Sequence, residues 1–332
     1  MNEPISIIDS LGSTPLPAPY KDRKVGLVIF GILTILLGCV AGLFVLLMFA
    51  GVATSAGTPN AVPLSSMFFA VVIYALLAAA LVWLGIGSIM ARRWARALLL
   101  IFSVFWLVVG LLSIPMMAFI MPKALATVPV APGRPAVSLG AVMFIVFMVL
   151  GVIFVAMPAA WTFFYSSRHV KATCETRDPV IRWTDACPLA VLGLCLWLGM
   201  SVPILAVMPL VGWGVFPFFG TFLTGLPGDL AYLLLAAFWG YAAWCLYRLD
   251  QRGWWLILIG TCVWLISALI TYARHDVTEM YRLINYPEAQ IEQIQKTGLM
   301  TRSALVGMTS AFMAVFVGYL VFIKRYFRTK GE

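Results

Sequence analysis

Long apolar runs alternate with short polar stretches along the whole chain. No Asp, Glu, Lys, Arg or His lies between Val25 and Ala91, and "ARRWAR", 91–96, is the first basic interruption after them. Eight apolar runs can be placed, at 25–50, 67–91, 97–121, 138–165, 188–210, 230–247, 254–273 and 304–323. As helices, runs of roughly 20 residues cross the hydrocarbon core of a bilayer. Lipid offers the backbone no hydrogen-bond partner, so each run is expected to satisfy itself as a helix, and the short alternating segments of a barrel are absent. The pattern predicts an all-α polytopic transmembrane bundle of about eight spans, with Pro158 kinking the fourth near its end.

The polar stretches set the orientation. Lys and Arg gather at 21–24, 92–96, 168–182, 248–252 and 324–330, all at one end of the predicted spans. The other end holds only Lys123, Arg134, Arg274, Arg282, Lys296 and Arg302. The positive-inside rule then places both termini in the cytoplasm. Arg92, Arg93 and Arg96 with Trp94, and Arg252 with Trp254 and Trp255, read as interface anchors whose heads lie among phosphates. A voltage sensor would carry its arginines inside one span. The first run is too long for a signal-peptide core and reads as a retained span.

Composition narrows the partners. Charged residues are 11% of the chain, against roughly 25% in soluble domains. A net charge of +9 would suggest nucleic acid in a soluble protein. Here the basic residues flank apolar runs, so the expected partner is a bilayer with anionic headgroups and not nucleic acid. Of six cysteines, Cys39, Cys195, Cys245 and Cys262 fall in apolar runs as small packing residues, and Cys174 and Cys187 share a polar loop. This is not the framework of a secreted disulfide scaffold.

A weak internal repeat is visible. "YALLAA" at 74–79 matches "YLLLAA" at 232–237, and each match is followed by a basic, tryptophan-bearing turn, "RRWAR" at 92–96 and "RLDQRGWW" at 248–255. The expected organisation is a disordered cytoplasmic tail at 1–20, a four-span half at 21–170, a cytoplasmic linker at 171–187 and a second four-span half at 188–332. "GCVAG", 38–42, places two glycines four apart in the first span, for close helix packing within the bundle.

Three segments of this chain, "WLGIGSIMARRWARALLLI", "RHVKATCETRDPVIRWTDACPL" and "YRLINYPEAQIEQIQKTGL", resemble parts of uncharacterised multi-pass bacterial inner-membrane proteins. The resemblance implies a bacterial inner membrane. It implies no activity, substrate or site residue.

Candidate chemistry is sparse. No Asp, Glu, Lys, Arg or His falls in the middle of a run, which argues against proton relays and steep ion coupling. His169, Cys174 and Cys187 are the residue types that zinc prefers, but their spacing has no CxxC pair, and no metal or other cofactor is expected. In the 211–229 loop, glycines, prolines and aromatics read as an interfacial or re-entrant segment.

The segment 276–298 reads as an extracytoplasmic helical hairpin. Asp276 is placed as N-cap with Glu279 completing a capping box, Pro287 opens the second helix and Gly298 stops it. Ile291 and Ile294 share one face of that helix. Asp276, Glu279, Arg282, Glu288, Glu292 and Lys296 form a candidate partner surface for a membrane or periplasmic protein. His275 beside Asp276 lacks a nucleophile or metal cluster.

The leading functional class is therefore a non-enzymatic accessory, scaffold or partner-binding membrane protein. A carrier or channel for an apolar or lipid-like substrate comes second. An integral membrane enzyme acting at a loop, through His169, Cys174 and Cys187 or through His275 and Asp276, comes third.

Overall fold

The computed structural model describes residues 20–55, 64–126, 139–211, 214–284, 288, 291, 292, 295 and 301–327. The tail at 1–19 and, in the 276–298 segment, Pro287, Ile294, Lys296 and Gly298 lie outside them. In chain order the helices are α1 (Lys24–Ser55), α2 (Leu64–Ile89), α3 (Arg93–Ala126), α4 (Leu139–Gly151), α5 (Met157–Ser166), α6 (Arg168–Arg177), α7 (Leu189–Val207), α8 (Leu226–Tyr247), α9 (Gln251–Arg274), α10 (Val277–Leu283) and α11 (Arg302–Ile323). A π turn, Val152–Ala156, joins α4 to α5. Two three-residue strands, β1 (Phe216–Phe218) and β2 (Thr221–Leu223), pair antiparallel between α7 and α8. Eight helices among the described residues are long and apolar enough to cross a membrane, one for each predicted run. The chain is an all-α polytopic bundle with one small hairpin.

Packing divides the chain into two compact units. The first comprises residues 1–100 and 160–181, the second 101–159 and 182–332. In the first unit α1 and α2 meet backbone to backbone. A Cβ on Gly31 would press on the carbonyl of Gly85, and one on Gly85 would press on the carbonyl of Gly31. Further along, Gly38 faces Ala78 and Val82, so the GxxxG pair serves contact inside the chain. In lipid, helices gain little from burying apolar surface against each other, and close packing of small residues is what joins them. Buried hydroxyls find partners here. Ser88 donates to the Leu27 carbonyl at 2.9 Å and lies 2.7 Å from the Tyr165 hydroxyl. The Trp161 indole donates to Thr34 at 3.1 Å. The helix α6 lies at the start of α1, where the Arg23 amide donates to Thr173 Oγ1 at 3.1 Å.

In the second unit α7, α8, α9 and α11 surround a core that includes Val191, Leu198, Trp239, Leu246, Ile257 and Leu320. This unit also contains α4 and the π turn. Proline at 158 has no N–H to give the Phe154 carbonyl four residues earlier, and the helix widens to a π turn just before it. The freed carbonyl lies against Gly110 of α3, where a Cβ would collide with it. The expected disturbance at Pro158 is thus a π turn rather than a simple bend. Gly110→Ala should cost about 1–3 kcal/mol through overpacking. A lowered thermal midpoint of the detergent-solubilised protein would record it, and an unchanged midpoint would show that the carbonyl has room to move.

The turns that follow α2 and α8 are built alike. Ala91 and Leu249, neither a glycine, both adopt positive φ, 51° and 56°. After α2, Arg92 N donates to Gly87 O and Ala91 N to Ser88 O. After α8, Asp250 N donates to Cys245 O and Leu249 N to Leu246 O. Each is a Schellman cap with its residue in the left-handed region.

Candidate functional site

The polar groups of the first unit collect at its basic end. Asp178 is only 2% exposed; Arg92 approaches it at 3.6 Å and the Arg93 amide donates to it at 3.3 Å. Glu175 pairs with Arg93 at 3.3 Å and with Lys171 at 3.7 Å, and Asp22 pairs with Arg177 at 2.8 Å. The hydrogen bond from Arg177 is the main cause holding the Asp22 carboxyl below its ordinary value. Arg92 and Arg93, expected as anchors, therefore have carboxylate partners within the chain. Trp94 stacks on Trp83 with centroids 4.2 Å apart.

His169, Cys174 and Cys187 are placed individually. The His169 Nδ1 atom accepts weakly from the Lys21 amide at 3.4 Å. Cys174 and Cys187 are buried free thiols. Burial pushes each up to about 11, in Cys174 despite the nearby Arg96. Burial thus favours the neutral thiol in both. Among the described residues no three His, Cys, Asp or Glu side chains converge.

The other polar concentration is at the hairpin end of the second unit. Residues Phe219 and Gly220 form the two-residue turn, with φ of 41° and 93°. Positive φ at both central positions is the type I′ signature that matches strand twist. One face of α9 holds this turn through residues four apart. Ser267 Oγ accepts from Phe219 N at 2.9 Å and donates to Pro217 O at 3.2 Å. Thr271 Oγ1 accepts from Gly220 N at 3.0 Å. His275 Nε2 lies 3.0 Å from Gly220 O, and its Nδ1 lies 2.8 Å from Glu279. Both ring nitrogens thus face acceptors. A neutral imidazole can donate to one of them, a doubly protonated ring to both. From α8, the Tyr232 hydroxyl donates to Val215 O at 3.0 Å. Gly228 admits the backbone of Gly214 and Leu223 where a Cβ would collide with both.

Beyond this clamp the chain turns into α10. Asp276 is its N-cap, as the sequence predicts, accepting from Thr278 N at 3.0 Å. Glu279 does not complete a capping box: its carboxylate is taken by His275. Arg282 pairs with Glu288 at 3.1 Å, and Glu279, Arg282 and Glu288 are all exposed side chains. Glu292 is exposed and Ile291 is buried. Lys296 lies outside the described residues.

At the opposite, basic end of this unit Trp254 is a core residue, 3% exposed, with its indole donating to Leu320 O at 2.7 Å. Its neighbours Arg252 and Trp255 are exposed. Trp254 and Trp255 are thus not equivalent anchors: one is interior and one faces out.

No family model matches the chain, and neither a curated protein nor a solved structure shows significant similarity to it.

Proposed function

We propose that the protein is a non-enzymatic, partner-binding component of a bacterial inner membrane, with both termini in the cytoplasm. Its docking surface is the 276–298 segment on the extracytoplasmic side. The observation that carries this reading is the hairpin end of the second unit. There α9 clamps a β-hairpin through Ser267, Thr271 and His275, and the chain beyond it presents exposed Glu279 and Arg282 on α10 and Glu288 after it. Helix–helix connections in bundles take roughly 2–8 residues, and the connection from α9 to α11 is far longer. Ordering the excess costs chain entropy, which a contact with a partner of complementary charge would offset.

The tandem organisation belongs to the same proposal. One offset along the chain relates Tyr74 to Tyr232, Ala91 to Leu249, and Arg93, where α3 starts, to Gln251, where α9 starts. A shared offset in sequence, cap geometry and helix start supports duplication of a four-span unit, with orientation preserved because four is even.

The test is replacement of 276–298 by a short Gly/Ser linker, read by co-purification from crosslinked membranes. The expected result is loss of the crosslinked species with insertion unchanged. In the intact protein, a cysteine at Arg282 should react with an impermeant thiol reagent in whole cells. Partner capture that survives the replacement, or a shielded cysteine, would overturn the reading.

A further inference from the structure

The two units manage their basic ends differently. In the first, Arg92, Arg93, Lys171 and Arg177 stand against Asp178, Glu175 and Asp22. In the second, Arg248, Lys324 and Arg325 lie on aromatic rings. Arg248 sits 4.5 Å from the centroid of Trp244. Lys324 Nζ is 4.7 Å from Trp254 and 5.4 Å from Trp255. Arg325 is 4.1 Å from Phe322 and 4.8 Å from Tyr326. Among the described residues no carboxylate forms an ion pair with Arg248, Lys324 or Arg325. The nearby Asp250 is committed to capping α9, accepting from Arg252 N at 2.9 Å. A ring quadrupole holds a cation in place without cancelling its charge, whereas a carboxylate cancels it. Four cations of the first unit thus have a carboxylate within reach, whereas Arg248, Lys324 and Arg325 of the second rest on rings that leave their charge intact.

A cavity opens beside one of these cations. Gln251, Trp254, Lys324 and Phe327 line a space of about 220 Å³. A single water needs roughly 10–15 Å³ on this kind of measure, and pockets for drug-sized ligands start at roughly 300 Å³. The space suits a headgroup fragment. Its walls combine an ammonium with no carboxylate partner among the described residues, an amide that can donate, and two rings. Trp254 is fixed by its bond to Leu320 O, so that wall is preformed. Trp255, which also faces Lys324, is 45% exposed, and tryptophan is enriched at the boundary of lipid and water.

We infer that this cavity binds the phosphodiester of an anionic phospholipid. Lys324 is its counter-ion, Gln251 donates to a phosphate oxygen, and Trp254 and Phe327 pack on the adjoining carbons. The inference rests on the membrane reading of this end as lying among headgroups, and is independent of the partner surface, because none of its residues lies in 276–298. A lipid phosphodiester and free phosphate share this chemistry, and the experiment separates them.

Full-length protein in mild detergent is titrated with phosphatidylglycerol, with phosphatidylcholine, and with inorganic phosphate as competitor. Retained lipid is measured by native mass spectrometry. One Lys near a membrane surface contributes about 1 kcal/mol with anionic lipid, or about fivefold in affinity. Lys324→Gln should weaken phosphatidylglycerol retention by about that factor and leave phosphatidylcholine unchanged. Lys324→Arg should keep it, and Gln251→Ala should weaken it from the opposite wall with the cation intact. Lys171→Gln, an exposed cation of the first unit, should have no effect. Equal retention by wild type and both weakening variants overturns the site. An equal loss with Lys171→Gln shows unspecific charge attraction and also overturns it. Displacement of the lipid by millimolar inorganic phosphate overturns the lipid as occupant.

Discussion

Alanine at Gly228 should detach the β-hairpin from the start of α8. The added Cβ would meet two backbone carbonyls, those of Gly214 and Leu223. Neither is the flexible end of a side chain, so the hairpin must move as a body. Overpacking of this kind costs about 1–3 kcal/mol, and the upper end is expected because both stems of the hairpin are displaced. The readout is local. Phe219 N and Gly220 N donate to Ser267 and Thr271, and their amide exchange should accelerate by more than tenfold. At Gly199 and Gly307 a Cβ meets nothing within 4 Å. Alanine there should be neutral or slightly stabilising, since it favours a helix over glycine by about 1 kcal/mol. Unchanged protection at Phe219 and Gly220 in Gly228→Ala would show that the hairpin is not seated on α8 as described.

Valine at Gly85 should be the most damaging single change in the first unit. Gly85 and Gly31 meet backbone to backbone, and Ile35 fills the space beside them. A β-branched side chain would force α1 and α2 apart along their crossing. Because lipid supplies no hydrophobic drive to hold the two helices together, lost close contact is not made up by solvent exclusion. A cost of about 3 kcal/mol, the top of the overpacking range, is expected, with Gly85→Ala intermediate. The thermal midpoint of the purified protein and its yield as a monodisperse species should fall in that order. A valine variant as stable as the parent would show that α1 and α2 do not depend on backbone contact at this crossing.

The spans were legible because each is a long apolar run with no Asp, Glu, Lys, Arg or His inside it. The start of the third is an instructive difference. Hydropathy opens it at 97, and the helix begins at Arg93, since a helix can start among charges before its apolar part begins. The hairpin was not legible. Its strands are three residues each, and the side chains that grip it lie about fifty residues on, at Ser267, Thr271 and His275. Gly220 among aromatic and β-branched neighbours was the one available sign of a tight turn. Asp276 was readable as a cap because a cap is local. Glu279 leaves the capping box because His275, one residue before the cap, takes its carboxylate. The pairings of Arg92 with Asp178 and of Lys324 with Trp254 join residues far apart in sequence, and no periodicity announces them.

The π turn at Val152–Ala156 has a consequence for inheritance. An α-helix advances about 100° per residue, so a turn holding one residue too many shifts the phase of everything beyond it. Pro158, the surplus residue and the bare Gly110 are therefore one linked character and not three. A descendant that lost the proline could regain the missing amide, drop a residue from this turn and admit a side chain opposite it. A single-residue gap near 152–156 in a related sequence would then mark a change of helix phase, matched by a larger residue at 110, rather than a random deletion in a tolerant stretch.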